Sequence, residues 1–230
     1  MSLQKYFVED PTIYEIGVDE AGRGPLFGRV YAGAVVLPKD DVFDHSKMKD
    51  SKKFHSKKKI NEVAEYIEQN ALAWSVNYLE HDAIDEMNIL QATMDCMKRS
   101  VLCCKKQVEE KYNNSEKLDL KRFQLLVDGN LFNPITEFDK MNQKLVALPH
   151  ICIEGGDNKY SAIAAASILA KVHRDKYIDD LCKEHPELSE RYSIDSNKGY
   201  GAKKHMDGIK QYGISQWHRK SFGICKNYEI

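Results

Sequence analysis

No run of apolar residues in this sequence approaches the roughly 18 needed to cross a bilayer, so a membrane-spanning protein is not expected. The N-terminal stretch MSLQKYFVEDP lacks the apolar centre of a secretion signal, which argues against export. The six cysteines (Cys96, Cys103, Cys104, Cys152, Cys182 and Cys225) include no C-x-x-C pair, and the adjacent Cys103 and Cys104 are poorly placed to bridge one another. They read as reduced thiols of a cytoplasmic protein. Excess charge is missing as well: 34 Lys and Arg against 35 Asp and Glu leave a formal net charge of -1, which excludes a uniformly basic nucleic-acid coat.

The charge that is present is unevenly spread. SKMKDSKKFHSKKK, residues 46–59, holds seven lysines against Asp50, whereas residues 61–97 carry eight acids and no Lys or Arg. A second basic stretch runs from Lys198 to Lys226 and includes Lys203, Lys204, Arg219 and Lys220. Local basic patches of this kind suit a phosphate backbone, although a solvated face is the commoner use.

Hydrophobic periodicity gives an alternation of strands and helices. Residues 13–19 and 29–37 read as a hairpin-like pair of strands, and LAWSVNYL as a third. Ser56 is placed to cap a helix over residues 57–71, where Ile60, Val63, Ala64 and Ile67 recur at helical spacing. Residues 82–112 read as a short turn and a longer helix with Ile89, Met94, Met97, Val101 and Leu102 as its buried stripe. After a polar connector, NNSEKLDLKR, come a buried strand FQLLVDG, another within KLVALPHICIEGG, and a long alanine-rich helix over residues 159–185. A paired start followed by strands separated by helices indicates an α/β protein with a mixed sheet.

Three of the apolar runs stop at a carboxylate beside glycine: Asp19 with Glu20, Asp128, and Asp157. One acid at a strand end is an ordinary turn former. Three such ends in one α/β sheet can meet, because sites are built at strand ends. Like charges a few ångströms apart raise one another's pKa, and divalent cations relieve that repulsion. Oxygen-only donors favour Mg²⁺ or Mn²⁺ over zinc, and two such ions about 3.5–4 Å apart serve phosphoryl transfer. Neighbouring side chains on a strand point to opposite faces, so Asp19 and Glu20 share one site only if the strand ends or twists there. The loop AGRGPLFG supplies that irregularity: Gly22 and Gly24 admit close backbone approach and Arg23 can meet phosphate. The loop leads into a strand, so it is neither a dinucleotide fingerprint nor a P-loop.

Taken with DSKK (50–53), NILQAT (88–93), LLVDG, GD (156–157) followed by AAASILAKVHRD, NKGYG and HRKSF, the stretch GVDEAGRGPLFG makes the chain closely resemble the ribonuclease HII family over residues 17–222. The GRG form of the loop favours this type 2 ribonuclease H over the related type 3. The resemblance implies an RNase H-like mixed β-sheet flanked by helices, with a C-terminal helical extension. It also implies one catalytic domain over residues 1–230, of which residues 185–230 form a helical substrate-binding part. The implied activity is endonucleolytic hydrolysis of RNA in RNA/DNA hybrids and nicking 5′ of single ribonucleotides in duplex DNA, by two-metal-ion catalysis with Mg²⁺ or Mn²⁺. Asp19, Glu20, Asp128 and Asp157 are then the catalytic, metal-binding carboxylates. Gly22, Arg23 and Gly24 are expected at the ribose 2′-OH, the group that separates RNA from DNA, with Tyr200 on the neighbouring sugar. Lys52 and Lys53 are expected at phosphates. His205 and His218 read as structural or phosphate-facing, Ser161 and Lys171 as support for the helix after Asp157, and Arg174 with Asp175 as a structural charge pair. The partner is nucleic acid and the expected state a monomer. Two competing readings are a hybrid-binding protein without catalysis, which has no use for four acids beside phosphates, and a two-metal nuclease for DNA junctions, which would not depend on a 2′-OH.

Overall fold

The computed structural model describes residues 3–40, 42–112, 118–139 and 143–228. Within the polar connector at 113–122, residues 113–117 lie outside the described ones. The strands β1 (Tyr14–Ala21) and β2 (Val30–Val36) form the expected antiparallel pair, and β3 (Ala73–Leu79) joins β2 antiparallel. On the other side β4 (Phe123–Asp128) runs parallel to β1. The strand here named β7 (His150–Ile153) runs parallel to β4, so the five-stranded sheet has the order β3-β2-β1-β4-β7. Consequently β1, β4 and β7 present their C-terminal ends along one edge, the edge where α/β sheets carry their sites.

Alternation decides what covers each face. Ile16 and Val18 point to one side with Val30, Ala32 and Ala34, where they pack on α3 (Ile89–Tyr112) through Met97, Val101, Cys104 and Val108. Leu102 does not belong to that stripe: it is 37% exposed, one position off the helical repeat that buries Val101, Cys104 and Val108. The preceding short helix α2 (His81–Met87) ends at Asn88, whose φ of 69° breaks the chain. The Asn88 carboxamide oxygen accepts from the amides of Leu90 at 3.0 Å and Gln91 at 3.1 Å and so starts α3. Ser56 caps α1 (Lys57–Asn70) as expected, accepting from the Lys59 amide at 3.4 Å.

The opposite face is covered by α1 and by α4 (Ser161–Glu184), whose first ten residues, 161–170, are all buried. Alanines let this helix lie close, and glycines in the sheet let it lie closer. A Cβ on Gly17 would stand 2.1 Å from the carbonyl carbon of Ala162, and one on Gly33 would stand 2.5 Å from the Ala166 oxygen. Both obstacles are backbone and cannot swing aside. Gly17→Ala is therefore expected to lift α4 off β1 at a cost of about 1–3 kcal/mol. Urea or thermal unfolding checks it, a shift of about 2–4 °C in midpoint answering to each kcal/mol at this chain length.

The strand expected within residues 144–156 is two strands. Lys144–Ala147, here β6, pairs with β5 (Thr136–Asp139) in a separate two-stranded sheet, and β7 begins only after Pro149. Toward the C-terminus α5 (Pro186–Tyr192), α6 (Ile194–Asn197) and α7 (Lys203–Tyr212) enclose a third apolar cluster with Leu26, Phe27, Ile178 and Cys225. All six cysteines are free thiols. Among the described residues no helix is long and apolar enough to cross a membrane.

Candidate active site

Asp128 is the last residue of β4, and Asp157 sits in the short turn Gly156–Asn158 just beyond β7, so the parallel ladder brings both to the edge where Asp19 and Glu20 lie. The structure corrects one detail of the sequence reading. β1 does not end at the adjacent acids: it continues through Ala21, with Asp19 opposite Gly33 and Glu20 opposite Ala32 on β2. What stops is the ladder to β4, whose last pair is Val18 with Val127. Beyond that pair β1 has no partner strand on the β4 side, and Asp19 and Glu20 both come within electrostatic reach of Asp128 while still paired to β2.

Asp19 is 5% exposed, and its amide-facing oxygen Oδ1 accepts from the Glu20 N–H at 2.7 Å. Burial, then the charges of Glu20 and Asp128, raise its pKa well above the ordinary carboxylate range, while the Ser167 hydroxyl and the Glu20 amide offset a part. Burial also raises Glu20. The Arg23 guanidinium opposes this, its Nη1 standing 3.2 Å from Glu20 Oε1, and Asp128 adds to it. Asp157, likewise 5% exposed, is raised by burial and by the charges of Asp50 and Asp128, against Lys52 and Asn158. Asp128 thus faces each of the other three acids, and its own Oδ1 accepts from the Gly156 N–H at 2.7 Å.

Lys52 and Lys53 are exposed and flank the same cluster. The Lys53 ammonium hydrogen-bonds Asn158 Oδ1, and Asn158 Nδ2 donates to Asp157 at 3.0 Å and to Asp50 at 3.2 Å. Burial alone would raise Asp50, but the Lys52 amide at 2.9 Å, Asn158 and the two lysine charges outweigh it and hold the carboxyl below its ordinary value. Asp50 and Asn158 were not foreseen from the sequence; the cue was DSKK itself, in which the aspartate caps the turn that presents the lysines.

Among the described residues no group of three or more His, Cys, Asp and Glu side chains is arranged to hold a metal ion. Each carboxylate is turned to a local donor instead: Asp19 to the Glu20 amide, Glu20 to Arg23, Asp128 to Gly156 and Asp157 to Asn158. The donor set nonetheless fits Mg²⁺ or Mn²⁺, being all oxygen, and the mutual repulsion of its acids, which adds to burial in raising Asp19, Glu20 and Asp157, is what a cation would relieve. His205 and His218 lie elsewhere, fully buried in the C-terminal cluster, and are not available to a ligand.

The loop after β1 brings the remaining predicted residues together. Gly22 is buried with φ of 90°, and a Cβ there would meet Arg174 Nε at 2.2 Å. Arg23 and Gly24 form the exposed tip, and a Cβ on Gly24 would stand 3.6 Å from the ring of Tyr200, itself 50% exposed. Leu26 N–H donates to the Gly199 carbonyl at 2.8 Å, tying the loop to the NKGYG turn. Arg174 does not pair with Asp175, which binds Lys171 at 2.9 Å. It is buried and donates to the carbonyls of Arg29, Phe27 and Lys198, joining the same two segments. Ser161 is fully buried at the start of α4, its amide bonded to the Gln4 carbonyl at 3.0 Å.

The sequence pattern described as Ribonuclease HII matches residues 16–225. The Ribonuclease HII of Bacteroides thetaiotaomicron is 40% identical over 218 residues, covering 95% of this chain and 94% of that protein. Among solved structures, ribonuclease H2 from Pyrococcus horikoshii OT3 superposes with a TM-score of 0.64 at 24% identity, covering 94% of this chain and 96% of that one. Bst-RNase HIII, solved in complex with Mn²⁺, gives 0.60 at 18% identity, covering 94% of this chain and 68% of that one. These two likenesses establish the fold: a mixed five-stranded RNase H-like sheet flanked by helices.

Proposed function

The chain belongs to the ribonuclease HII family, ribonucleases that hydrolyse RNA in RNA/DNA hybrids, and from that premise we propose that it also nicks duplex DNA on the 5′ side of a single embedded ribonucleotide, with two divalent cations as cofactors. The observation that carries this reading is the contact between Arg23 and Glu20 at 3.2 Å. It joins a carboxylate cluster suited to phosphoryl transfer to a loop whose next residue, Gly24, lies so near Tyr200 that a Cβ on it would stand 3.6 Å from the ring, so that the chemistry and the sugar contact lie within one loop's length.

In this reading Asp19, Glu20, Asp128 and Asp157 hold the ions, Mg²⁺ or Mn²⁺. When bound, these supply polarisation of the phosphoryl oxygen and a nucleophilic water at neutral pH. Gly22, Arg23 and Gly24 lie along the ribose, where the 2′-OH is the group that tells RNA from DNA. Tyr200 stacks on the adjoining sugar. Lys52 and Lys53, both exposed beside Asp157, neutralise backbone phosphates. Arg23 offsets the Glu20 charge in the free protein, a task that bound cations would share, and its guanidinium suits a phosphate. Residues 185–230 serve as the substrate-binding part, and the enzyme acts as a cytoplasmic monomer.

Incubation with duplex DNA containing one ribonucleotide, in Mg²⁺, Mn²⁺ or EDTA, tests the proposal. A nick 5′ of the ribonucleotide is expected with either metal, leaving a 3′-hydroxyl and a 5′-phosphate, and none in EDTA or on the all-DNA duplex. Cleavage of long hybrids without this nick would limit the protein to hybrid hydrolysis. Equal cutting of the all-DNA duplex would point to the junction nuclease.

A further inference from the structure

Arg219 is fully buried, yet among the described residues no carboxylate accepts a hydrogen bond from it. Burial and the nearby Arg174 cation push its pKa down to about 9, which leaves it charged at neutral pH. All five of its N–H donors are used on main-chain oxygens of one loop. Nε donates to Gly28 at 2.8 Å, Nη1 to Arg23 at 3.0 Å and Pro25 at 2.9 Å, and Nη2 to Gly22 at 2.7 Å and Arg29 at 3.1 Å. A buried cation is tolerable only when such oxygens replace water, so the loop is folded around the guanidinium.

That arrangement has a consequence at the tip. Among the described residues there are no cis peptide bonds, and in a planar trans peptide the C=O of one residue and the N–H of the next point in opposite directions. With the carbonyls of Gly22 and Arg23 drawn inward to Arg219, the amides of Arg23 and Gly24 point the other way, toward the surface where these two residues are exposed.

The residue before Arg219 secures the aromatic partner. Ser215 N–H donates to His218 Nδ1 at 2.9 Å, so the His218 proton is on Nε2. Nε2 stands 3.0 Å from His205 Nε2, which must accept, leaving the His205 proton on Nδ1 for the Tyr200 carbonyl at 2.8 Å. The residues after Arg219 anchor the segment: the amides of Lys220 and Ser221 donate to the Asp85 carboxylate at 2.7 and 2.9 Å.

We propose that Arg219 is a positioning residue for ribose recognition: it turns the Arg23 and Gly24 amides outward as donors to the ribonucleotide, while its neighbour His218 fixes Tyr200 opposite them through His205. The proposal rests on the function proposed above and goes beyond it by assigning the discrimination to a residue that never meets the substrate. Misplacement of recognition donors by about 1 Å is enough for a rate loss of about a hundredfold.

The test compares wild type, Arg219→Lys and Asp85→Ala on a duplex with one ribonucleotide, with the all-DNA duplex as competitor. Lysine keeps the charge and lacks the five-donor fork. Arg219→Lys is expected to lower kcat/KM on the ribonucleotide about 10- to 100-fold, mainly through KM, with the inhibition constant of the all-DNA duplex unchanged. Asp85→Ala loosens the same segment from near the surface and is expected to give the same split at about three- to tenfold. Folded Arg219→Lys with wild-type kcat/KM, or with equal loss of affinity for both duplexes, overturns the proposal. If Arg219→Lys does not fold, an Asp85→Ala enzyme indistinguishable from wild type overturns it as well. Failure of the wild-type enzyme to prefer the ribonucleotide would instead refute the proposed function, whatever the variants do.

Discussion

Asp128→Asn is expected to abolish metal-dependent cleavage while leaving the fold intact. The substitution keeps the volume and the Oδ1 acceptor that receives the Gly156 amide at 2.7 Å, so the link between the ends of β4 and β7 survives. It removes the one charge that faces Asp19, Glu20 and Asp157 alike. A bound cation contributes several kcal/mol of transition-state charge stabilisation. At about 1.36 kcal/mol per decade, losing its central ligand lowers the rate by about a hundred- to ten-thousandfold. Nicking of the single-ribonucleotide duplex in Mg²⁺ measures the loss, and circular dichroism with thermal unfolding shows that the protein remains folded. Near-wild-type cleavage would remove Asp128, and with it the carboxylate cluster, from the mechanism. Rescue by Mn²⁺ but not Mg²⁺ would keep it there, because a weakened oxygen site favours the ion later in the affinity order.

How much of this was legible in the chain depends on how local each feature is. β1, β2, β3 and β4 and helices α1 and α3 announce themselves through alternation or helical spacing, and α4 through its alanines, whereas α5, α6 and α7 were not read from the pattern. Pro149 was the unread mark between β6 and β7: a proline donates no ladder hydrogen bond, and here its carbonyl serves Leu125. β5, only TEFD, has too few residues for a period to emerge. The approach of Asp128 and Asp157 was legible because each lies beside glycine at or just beyond a strand end. Why Asp19 and Glu20 can cooperate was not, because no pattern in β1 says that its ladder to β4 stops at Val18 while the ladder to β2 runs on. Arg219 is the extreme case. Arginine is almost never fully buried unless paired, and its partners here are five carbonyls about 190 positions away, groups that every residue possesses and no sequence distinguishes.

Asp19→Asn is expected to make the protein more stable as it makes it inactive. A carboxyl whose folded-state pKa is raised contributes stability below its unfolded pKa and loses it as pH rises through the folded one, because the folded state then resists ionisation that the unfolded chain accepts. At neutral pH the burial of the Asp19 carboxyl beside Glu20 and Asp128 therefore works against folding. Asparagine keeps an oxygen for the Glu20 amide, now at 2.7 Å, and brings no charge. In EDTA at neutral pH the variant's thermal midpoint is expected to exceed that of the wild type by several degrees, about 2–4 °C for each kcal/mol relieved. The gap should narrow below about pH 4, where the wild-type carboxyl is protonated in both states. It should also narrow at neutral pH on adding Mg²⁺ or Mn²⁺, because ions that bind only the folded wild-type cluster stabilise it by mass action and find a weakened site in the variant. Calorimetry across pH and metal concentration separates the two effects. A variant less stable than wild type in EDTA would mean that Asp19 is held by favourable contacts, and a wild-type midpoint indifferent to both metals would mean that the cluster does not gather cations. If the midpoints instead behave as expected, the acids are strained in the free protein for the same reason that they serve the loaded one: burial and mutual repulsion leave a shortage of positive charge that cations would supply.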